Sequence, residues 1–216
     1  MPLVLVQNSV TVNEDYDWKD IEGEQYHFPN QYKNRCKPGT PFVYYRGTRR
    51  LGGKRGDPEY FGFRLNKETI SAVDWANRDY YMRATPAAIG TLTYIAFETR
   101  RLHEAMKPKG ERYVPLEVTS LVRSMDSAGK GIGNGGNGPT EALAHCSGQV
   151  FDINYGALPP GEREALQFVL EDMGWEGYLG FVEETANSGT MHIGCSPSSR
   201  DFFTEIFREA VAAKHT

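Results

Sequence analysis

The chain has 216 residues, of which 24% are charged, and a formal net charge of −4, which leaves room for one large or two small domains. This balance gives no global basic character, so overall charge does not indicate a nucleic-acid partner. The apolar runs are too short for a membrane span, and three cysteines do not make a disulfide framework. The N-terminus lacks the features of a secretory signal, so we expect a cytoplasmic protein as synthesised.

The first region predicts a small antiparallel β module over residues 1–64. Residues 2–8 and 41–47 are rich in apolar, β-branched and aromatic side chains, which indicates strands. Residues 49–56 form a basic, glycine-rich hairpin tip, and residues 59–63 return as a further strand. Residues 64–78 indicate a linker or a short helix.

Aromatic residues and cations lie close together in this module. About residues 3–63 resemble a PUA/EVE-like β module of modification-dependent restriction endonucleases, although the stretch is shorter than such barrels usually are. On that resemblance, Tyr44, Tyr45 and Tyr60 would stack on a modified base of DNA. Phosphate contacts would come from Arg46, Arg49, Arg50, Lys54 and Arg55. The alternative is that the aromatic rings fill a small β core while the charges solvate a hairpin.

A helical pattern from about Arg78 to Met106 predicts a long amphipathic helix. Apolar residues recur at helical spacing from Ile89 to Leu102. Pro86 indicates the start of the helix, with Thr85 as its N-cap, and residues 107–110 end it. The β-branched run that follows, residues 116–123, is predicted to be a strand.

Two features of the next stretch leave alternatives open. Arg123, at the end of the predicted strand, could bind a substrate carboxylate or polarise a carbonyl, or it could pair with an acidic surface residue. Residues 127–140 are rich in glycine and therefore flexible by composition. They form either the lid of a cleft or a loose surface loop.

The segment from His145 to Ile153 carries the clearest chemical signal. Gly148 allows a sharp turn after His145, and the apolar run that follows indicates a strand on which Val150 and Asp152 share a face. A carboxylate on an apolar strand is costly to bury unless a cation neutralises it. Asp152 therefore indicates a nearby positive charge.

A metal ion would provide that charge. His192 lies on another short apolar run, and two imidazoles with one carboxylate leave a fourth position to water, as in catalytic zinc sites. The alternative is that each histidine is an ordinary core or surface residue. Cys146 and Cys195 lie beside the proposed ligands, but small buried hydrophobic residues are the better interpretation of both.

The C-terminal third predicts two helices and a hairpin. Residues 158–173 form a helix that begins near Pro160 and stops at Gly174. Residues 178–184 and 190–195 form the hairpin, and residues 200–212 form a closing helix. A three-residue turn would place Glu184 opposite His192, and a two-residue turn would place Glu183 there instead. We prefer Glu184.

The order of these residues resembles zinc D,D-carboxypeptidases and L,D-endopeptidases, the M15-like peptidases that share the Hedgehog/DD-peptidase fold. The resemblance covers about residues 66–196. Its skeleton, His-x-x-Gly-x-x-x-Asp followed by a late His, is matched by His145, Gly148, Asp152 and His192, and the upstream Arg of the family by Arg123. The chain departs from the pattern where Gly189 replaces the glutamate that the family carries three residues before its last histidine.

These observations predict an α+β protein with a small antiparallel sheet and helices on one face in residues 65–216. The resemblance implies a zinc metallopeptidase that acts on peptidoglycan peptides containing D-residues. His145, Asp152 and His192 would hold Zn²⁺, with Glu184 or Glu183 as the base and Arg123 as the oxyanion or carboxylate ligand. A lysin of this kind would reach the wall through a membrane lesion. The rival hypothesis is a cytosolic protein of a defence system that binds modified nucleic acid and carries a non-hydrolytic zinc domain.

Overall fold

The structure is a computed structural model that describes residues 49–51, 61–66, 82–107, 109–121, 145, 148–184 and 189–213. Most of the predicted N-terminal module lies outside these ranges, and so do the glycine-rich segment and several candidate site residues: Tyr44, Tyr45, Arg46, Tyr60 and Arg123. None of the helices in the described ranges is long and apolar enough to cross a membrane.

A five-stranded mixed sheet forms the centre of the described chain, in the strand order β2-β4-β5-β7-β6. These strands are β2 (Phe63–Leu65), β4 (Leu116–Ser120), β5 (Val150–Asn154), β6 (Leu179–Glu184) and β7 (Thr190–Cys195). A separate two-stranded ladder joins β1 (Arg49–Arg50) to β3 (Arg83–Ala84). The sheet and its helices confirm the predicted α+β class.

Three α-helices occur in the described ranges: α1 (Pro86–Met106), α2 (Pro160–Trp175) and α3 (Arg200–Ala213). A 3₁₀ turn at Pro197–Ser199 leads into α3. The start of α1 confirms the prediction, because Thr85 is the N-cap and its Oγ1 accepts the Ala88 N–H at 3.2 Å. The end of α2 differs from the prediction, since Gly174 lies inside the helix and Gly177, at φ +76°, follows it.

The core lies between one face of the sheet and the helices. Alternate strand residues such as Phe151, Ile153 and Ile193 are fully buried and belong to one apolar cluster with residues of α1 and α2. Because side chains alternate between the two faces of a strand, Asp152 and His192 point away from this cluster. The helices therefore occupy one face, as predicted, and the polar residues occupy the other.

The sheet differs from the prediction in its first strand. β2 pairs with β4 in the parallel direction, so the sheet is mixed rather than wholly antiparallel. A parallel pair needs a long crossover, which no local sequence pattern reveals, and here α1 lies within it. Residues 63 and 64, expected in the N-terminal module, thus belong to this sheet, and Phe61 and Phe63 are part of its core.

Candidate metal centre

Strand pairing brings Asp152 and His192 together across two antiparallel strands. In the register of β5 and β7, Asp152 lies directly opposite His192. Residues paired in this way share a face of the sheet, and His192 Nδ1 lies 2.8 Å from Asp152 Oδ1. Two residues separated by forty positions in sequence therefore meet because the two strands align without a shift between Val150 and Asn154.

An irregularity in β4 adds a hydroxyl to the same face. Val118 pairs with Ile153, but Ser120 pairs with Asp152, so two steps along β4 match one step along β5. Such a bulge turns the next side chain onto the other face. Ser120 is consequently buried beside the group, with its Oγ 3.5 Å from His145 Nδ1. The sequence gives no signal for this bulge.

The backbone of Leu121 fixes the orientation of His145. The Leu121 carbonyl oxygen lies 2.6 Å from His145 Nδ1, and a carbonyl only accepts hydrogen bonds. The proton of a neutral His145 ring therefore resides on Nδ1, and the unprotonated Nε2 lies 3.2 Å from Asp152 Oδ1. A backbone carbonyl on the second ring nitrogen is a common way of fixing a metal-binding histidine.

The three side chains are almost fully shielded from solvent. His145 is 2% exposed, Asp152 1% and His192 1%, and the centroids of the two imidazole rings are 4.9 Å apart. An unprotonated ring nitrogen 3.2 Å from a carboxylate oxygen at this depth is electrostatically unfavourable in a medium of low polarity. The contact becomes favourable if a cation lies among the three groups or if His145 carries a second proton.

The possible ligand atoms lie close enough together to hold a metal ion. Potential ligand atoms of His145, Asp152 and His192 lie within 4.8 Å of one another, and no other such group occurs among the described residues. In a tetrahedral site with bonds of about 2.0–2.1 Å, neighbouring ligand atoms are about 3.3 Å apart. The 3.2 Å between His145 Nε2 and Asp152 Oδ1 is close to that value, whereas the 2.8 Å between His192 Nδ1 and Asp152 Oδ1 is a hydrogen-bond distance. This buried group could hold a metal ion.

The prediction for Glu184 and Glu183 opposite His192 is wrong. Val182 pairs with His192, Glu183 with Met191 and Glu184 with Thr190. The last pair of the ladder joins Glu184 to Thr190. The connection between the two strands is therefore longer than the two- or three-residue turn that the prediction used. Glu183 is exposed. By the alternation of the strand, position 184 shares the face of position 182, one pair beyond His192.

The structure also explains why position 189 is glycine. Gly189 has φ +119°, and its carbonyl accepts the Gly156 N–H at 2.6 Å. A Cβ at this position would lie 2.7 Å from Gly156 Cα. A glutamate three residues before His192 is therefore incompatible with this hairpin, both because of the backbone conformation and because of the close approach of the two chains.

Glu117 is a second acid on the polar face, but other groups hold it. Asn154, two residues after Asp152, donates to Glu117 Oε1 at 3.0 Å, Asn66 donates to the same oxygen at 3.2 Å, and Arg64 Nε lies 3.1 Å from Oε2. Burial tends to raise the pKa of Glu117, but these partners lower it below its ordinary value. Glu117 is thus a structural anion and a weak proton acceptor.

Cys195 is a small buried hydrophobic residue, as the sequence predicted. Its side chain is buried in the apolar cluster on the helical side of the sheet, three residues from His192 and therefore on the opposite face. Burial raises the pKa of the Cys195 thiol, which disfavours the thiolate that a metal requires. Cys146 lies outside the described residues.

Comparison of the chain with protein-family models, with curated proteins and with solved structures finds no match. The metal centre therefore stands on the geometry of its own residues.

Proposed function

We propose that this protein is a zinc-dependent hydrolase of peptide bonds. The observation that carries the proposal is the buried group of His145, Asp152 and His192, in which the Leu121 carbonyl engages His145 Nδ1 and Nε2 lies 3.2 Å from Asp152 Oδ1. Two imidazoles and one carboxylate are a usual ligand set of catalytic zinc, with one position left for water. Zinc in such a site acidifies a water molecule to a pKa of about 7 and polarises a carbonyl.

The residues of the chain have distinct roles in this proposal. Asp152 balances the charge of the metal, and Ser120 and Leu121 hold His145 in position. Glu184 is our preferred proton acceptor over Glu183, because position 184 shares the sheet face of His192 and Glu183 is exposed. Arg123 would hold a substrate carboxylate or the developing oxyanion. The substrate class, peptidoglycan peptides with D-residues, follows from the M15-like resemblance alone.

One observation favours a second candidate, a zinc domain without hydrolysis in a protein that binds modified DNA. The residue opposite His192 is Val182, so an apolar side chain occupies the position where a base was expected. In that case the metal stabilises the fold, and the base-binding residues would be Tyr44, Tyr45, Arg46 and Tyr60.

Metal analysis tests the feature that both candidates share. We expect near-stoichiometric zinc in the purified protein and its loss in His145→Ala and Asp152→Ala, whereas Asp201→Ala, an exposed position on α3, keeps the metal. A parent protein without zinc after purification and after incubation with Zn²⁺ would remove the proposal.

Turnover separates the two candidates. With a peptide ending in D-Ala-D-Ala as substrate, the hydrolase should lose activity about 10²–10⁴-fold when its general base is removed. We expect this loss for Glu184→Gln and not for Glu183→Gln, and we expect Arg123→Ala to keep the metal but lose turnover. A zinc-loaded protein that cleaves no such peptide, yet shifts modified DNA at low salt, would support the second candidate.

A further inference from the structure

A cavity that shares no residue with the candidate metal centre has the character of a ligand site. It has a volume of about 640 Å³, is lined mainly by the last turns of α1 and by residues 111–115, and includes Gly62. None of its lining residues is a candidate metal ligand. It lies on the helical side of the sheet, whereas His145, Asp152 and His192 occupy the other face.

A buried histidine is part of the cavity wall. His103 is 3% exposed, lines the cavity, and has no hydrogen-bond partner for either ring nitrogen among the described residues. The carboxylate of Glu111 is close by, with its Oε2 3.9 Å from His103 Nε2, beyond hydrogen-bonding range. Because a neutral imidazole always carries one N–H donor, His103 can donate to a ligand oxygen in the cavity.

Cations surround the mouth of the cavity. Arg100, Lys107 and Arg112 all line it and are exposed. Arg100 is paired with Glu104 at 2.8 Å, but within the described ranges Lys107 and Arg112 form no ion pair. Glu111, the other acid of the wall, is engaged with the first turn of α2 and accepts the Gly161 N–H at 2.8 Å. Three cations and two carboxylates thus line the cavity, so its formal net charge is positive by one.

The remaining wall is flat and apolar. Phe97 lines the cavity and is 50% exposed, which is unusual for a phenylalanine on a helix that packs in a core. Tyr113 lies beside the buried histidine, with ring centroids 5.8 Å apart, and Arg100 stacks over the tyrosine at 5.8 Å. Rings at such positions pack against planar ligands while leaving polar groups at the edge.

We propose that this cavity binds a small organic anion, with its carboxylate or phosphate between His103, Lys107 and Arg112 and its planar body against Phe97. The C-terminal carbonyls of α1 oppose an anion, so the cations and the buried donor are needed together. The cavity is large enough for a ligand of the size of an aromatic acid or a nucleotide.

Titration calorimetry with phenyl phosphate, benzoate and inorganic phosphate tests the site on the full chain. We expect saturable binding of phenyl phosphate or benzoate, and the tighter of the two identifies the oxyanion. Inorganic phosphate, which lacks the planar body, should bind at least tenfold more weakly. Absence of binding by both aromatic anions at millimolar concentration would overturn the proposal.

Matched variants distinguish a built site from diffuse charge. Arg112→Gln and Lys107→Gln should each weaken binding about tenfold, whereas Arg101→Gln, on the same helix but outside the cavity and paired with Glu98, should leave it unchanged. Equal weakening by Arg101→Gln would overturn the proposal. His103→Gln should weaken binding further, and because Arg112 is exposed, its variant keeps the test decisive even if His103→Gln does not fold.

Discussion

His145 Nδ1 lies 2.6 Å from the carbonyl oxygen of Leu121. This contact decides which nitrogen of the neutral ring carries the proton, because a carbonyl can only accept and the proton must therefore reside on Nδ1. The contact also joins His145, which the sequence identifies as a candidate ligand, to the Leu121 carbonyl, which no sequence pattern identifies. The candidate metal centre consists of three side chains and one carbonyl that orients His145.

Removal of the metal should destabilise the parent protein selectively. A ligand present at a hundred times its dissociation constant stabilises the folded state by about 2.7 kcal/mol. For a domain of this size, we therefore expect a chelator to lower the unfolding midpoint by about 5–10 °C, measured by circular dichroism. Asp152→Asn should have the same midpoint with and without chelator, and Asp201→Asn should behave like the parent. An unchanged parent midpoint would contradict the metal centre.

Gly189→Ala should be far more damaging than Gly177→Ala. Both glycines have positive φ, but a Cβ at 189 would lie 2.7 Å from Gly156 Cα, whereas nothing lies within 4 Å of a Cβ at 177. We expect a loss of about 1 kcal/mol for Gly177→Ala from the backbone conformation alone, and of about 3 kcal/mol or more for Gly189→Ala. Urea unfolding measures both, and equal losses would show that the hairpin can adjust.

Gly90→Ala should separate α1 from α3. A Cβ at position 90 would lie 1.8 Å from the backbone oxygen of Phe203, so the two helices must move apart. An Ala in a helix is ordinarily about 1 kcal/mol better than Gly, yet we expect Gly90→Ala to lose about 3 kcal/mol or more. The reverse change at the exposed Ala105, Ala105→Gly, measures the propensity difference in the same helix. Stabilisation by Gly90→Ala would disprove the close contact.

Stability should depend on pH through Glu162. This residue is fully shielded from solvent, and its Oε2 accepts the Val114 N–H at 2.8 Å. Burial raises the pKa of Glu162 to about 7; the Val114 hydrogen bond and the Arg64 charge partly oppose the increase, and Glu111 adds to it. The folded pKa of Glu162 lies above its unfolded value of about 4.5. The stability that protonated Glu162 contributes is therefore fully present below pH 4.5 and is lost as the pH rises through 7.

The matched experiment compares the parent with Glu162→Gln, which keeps an acceptor for Val114 but cannot ionise. Between pH 5 and pH 8, the unfolding free energy of the parent should fall by about 3 kcal/mol relative to the variant. Urea titrations at several pH values measure this difference. Parallel pH profiles for the two proteins would show that Glu162 does not titrate in this range.

Local signals in the sequence predicted several elements well. Thr85 and Pro86 marked the beginning of α1 because capping depends on a few neighbouring residues. The apolar run around Asp152 predicted a strand, whereas its pairing with the strand of His192 is seen only in the structure. These features depend on short stretches of chain, where side-chain chemistry determines backbone geometry directly.

Features that depend on distant parts of the chain were missed. The bulge that brings Ser120 opposite Asp152 and the register that brings Val182 opposite His192 each depend on how two strands align. A change in the length of the hairpin connection moves every pair along the ladder. Residue types alone therefore could not determine which residue lies opposite His192.

The parallel pairing of β2 with β4 has a practical consequence. β2 covers the backbone of β4 along that side of the sheet, and an uncovered strand edge recruits other chains into aggregates. A fragment that starts at residue 65 would lose Phe61 and Phe63 from its interior as well. Expression of the C-terminal part alone therefore requires a first residue before Phe61, or the product should precipitate.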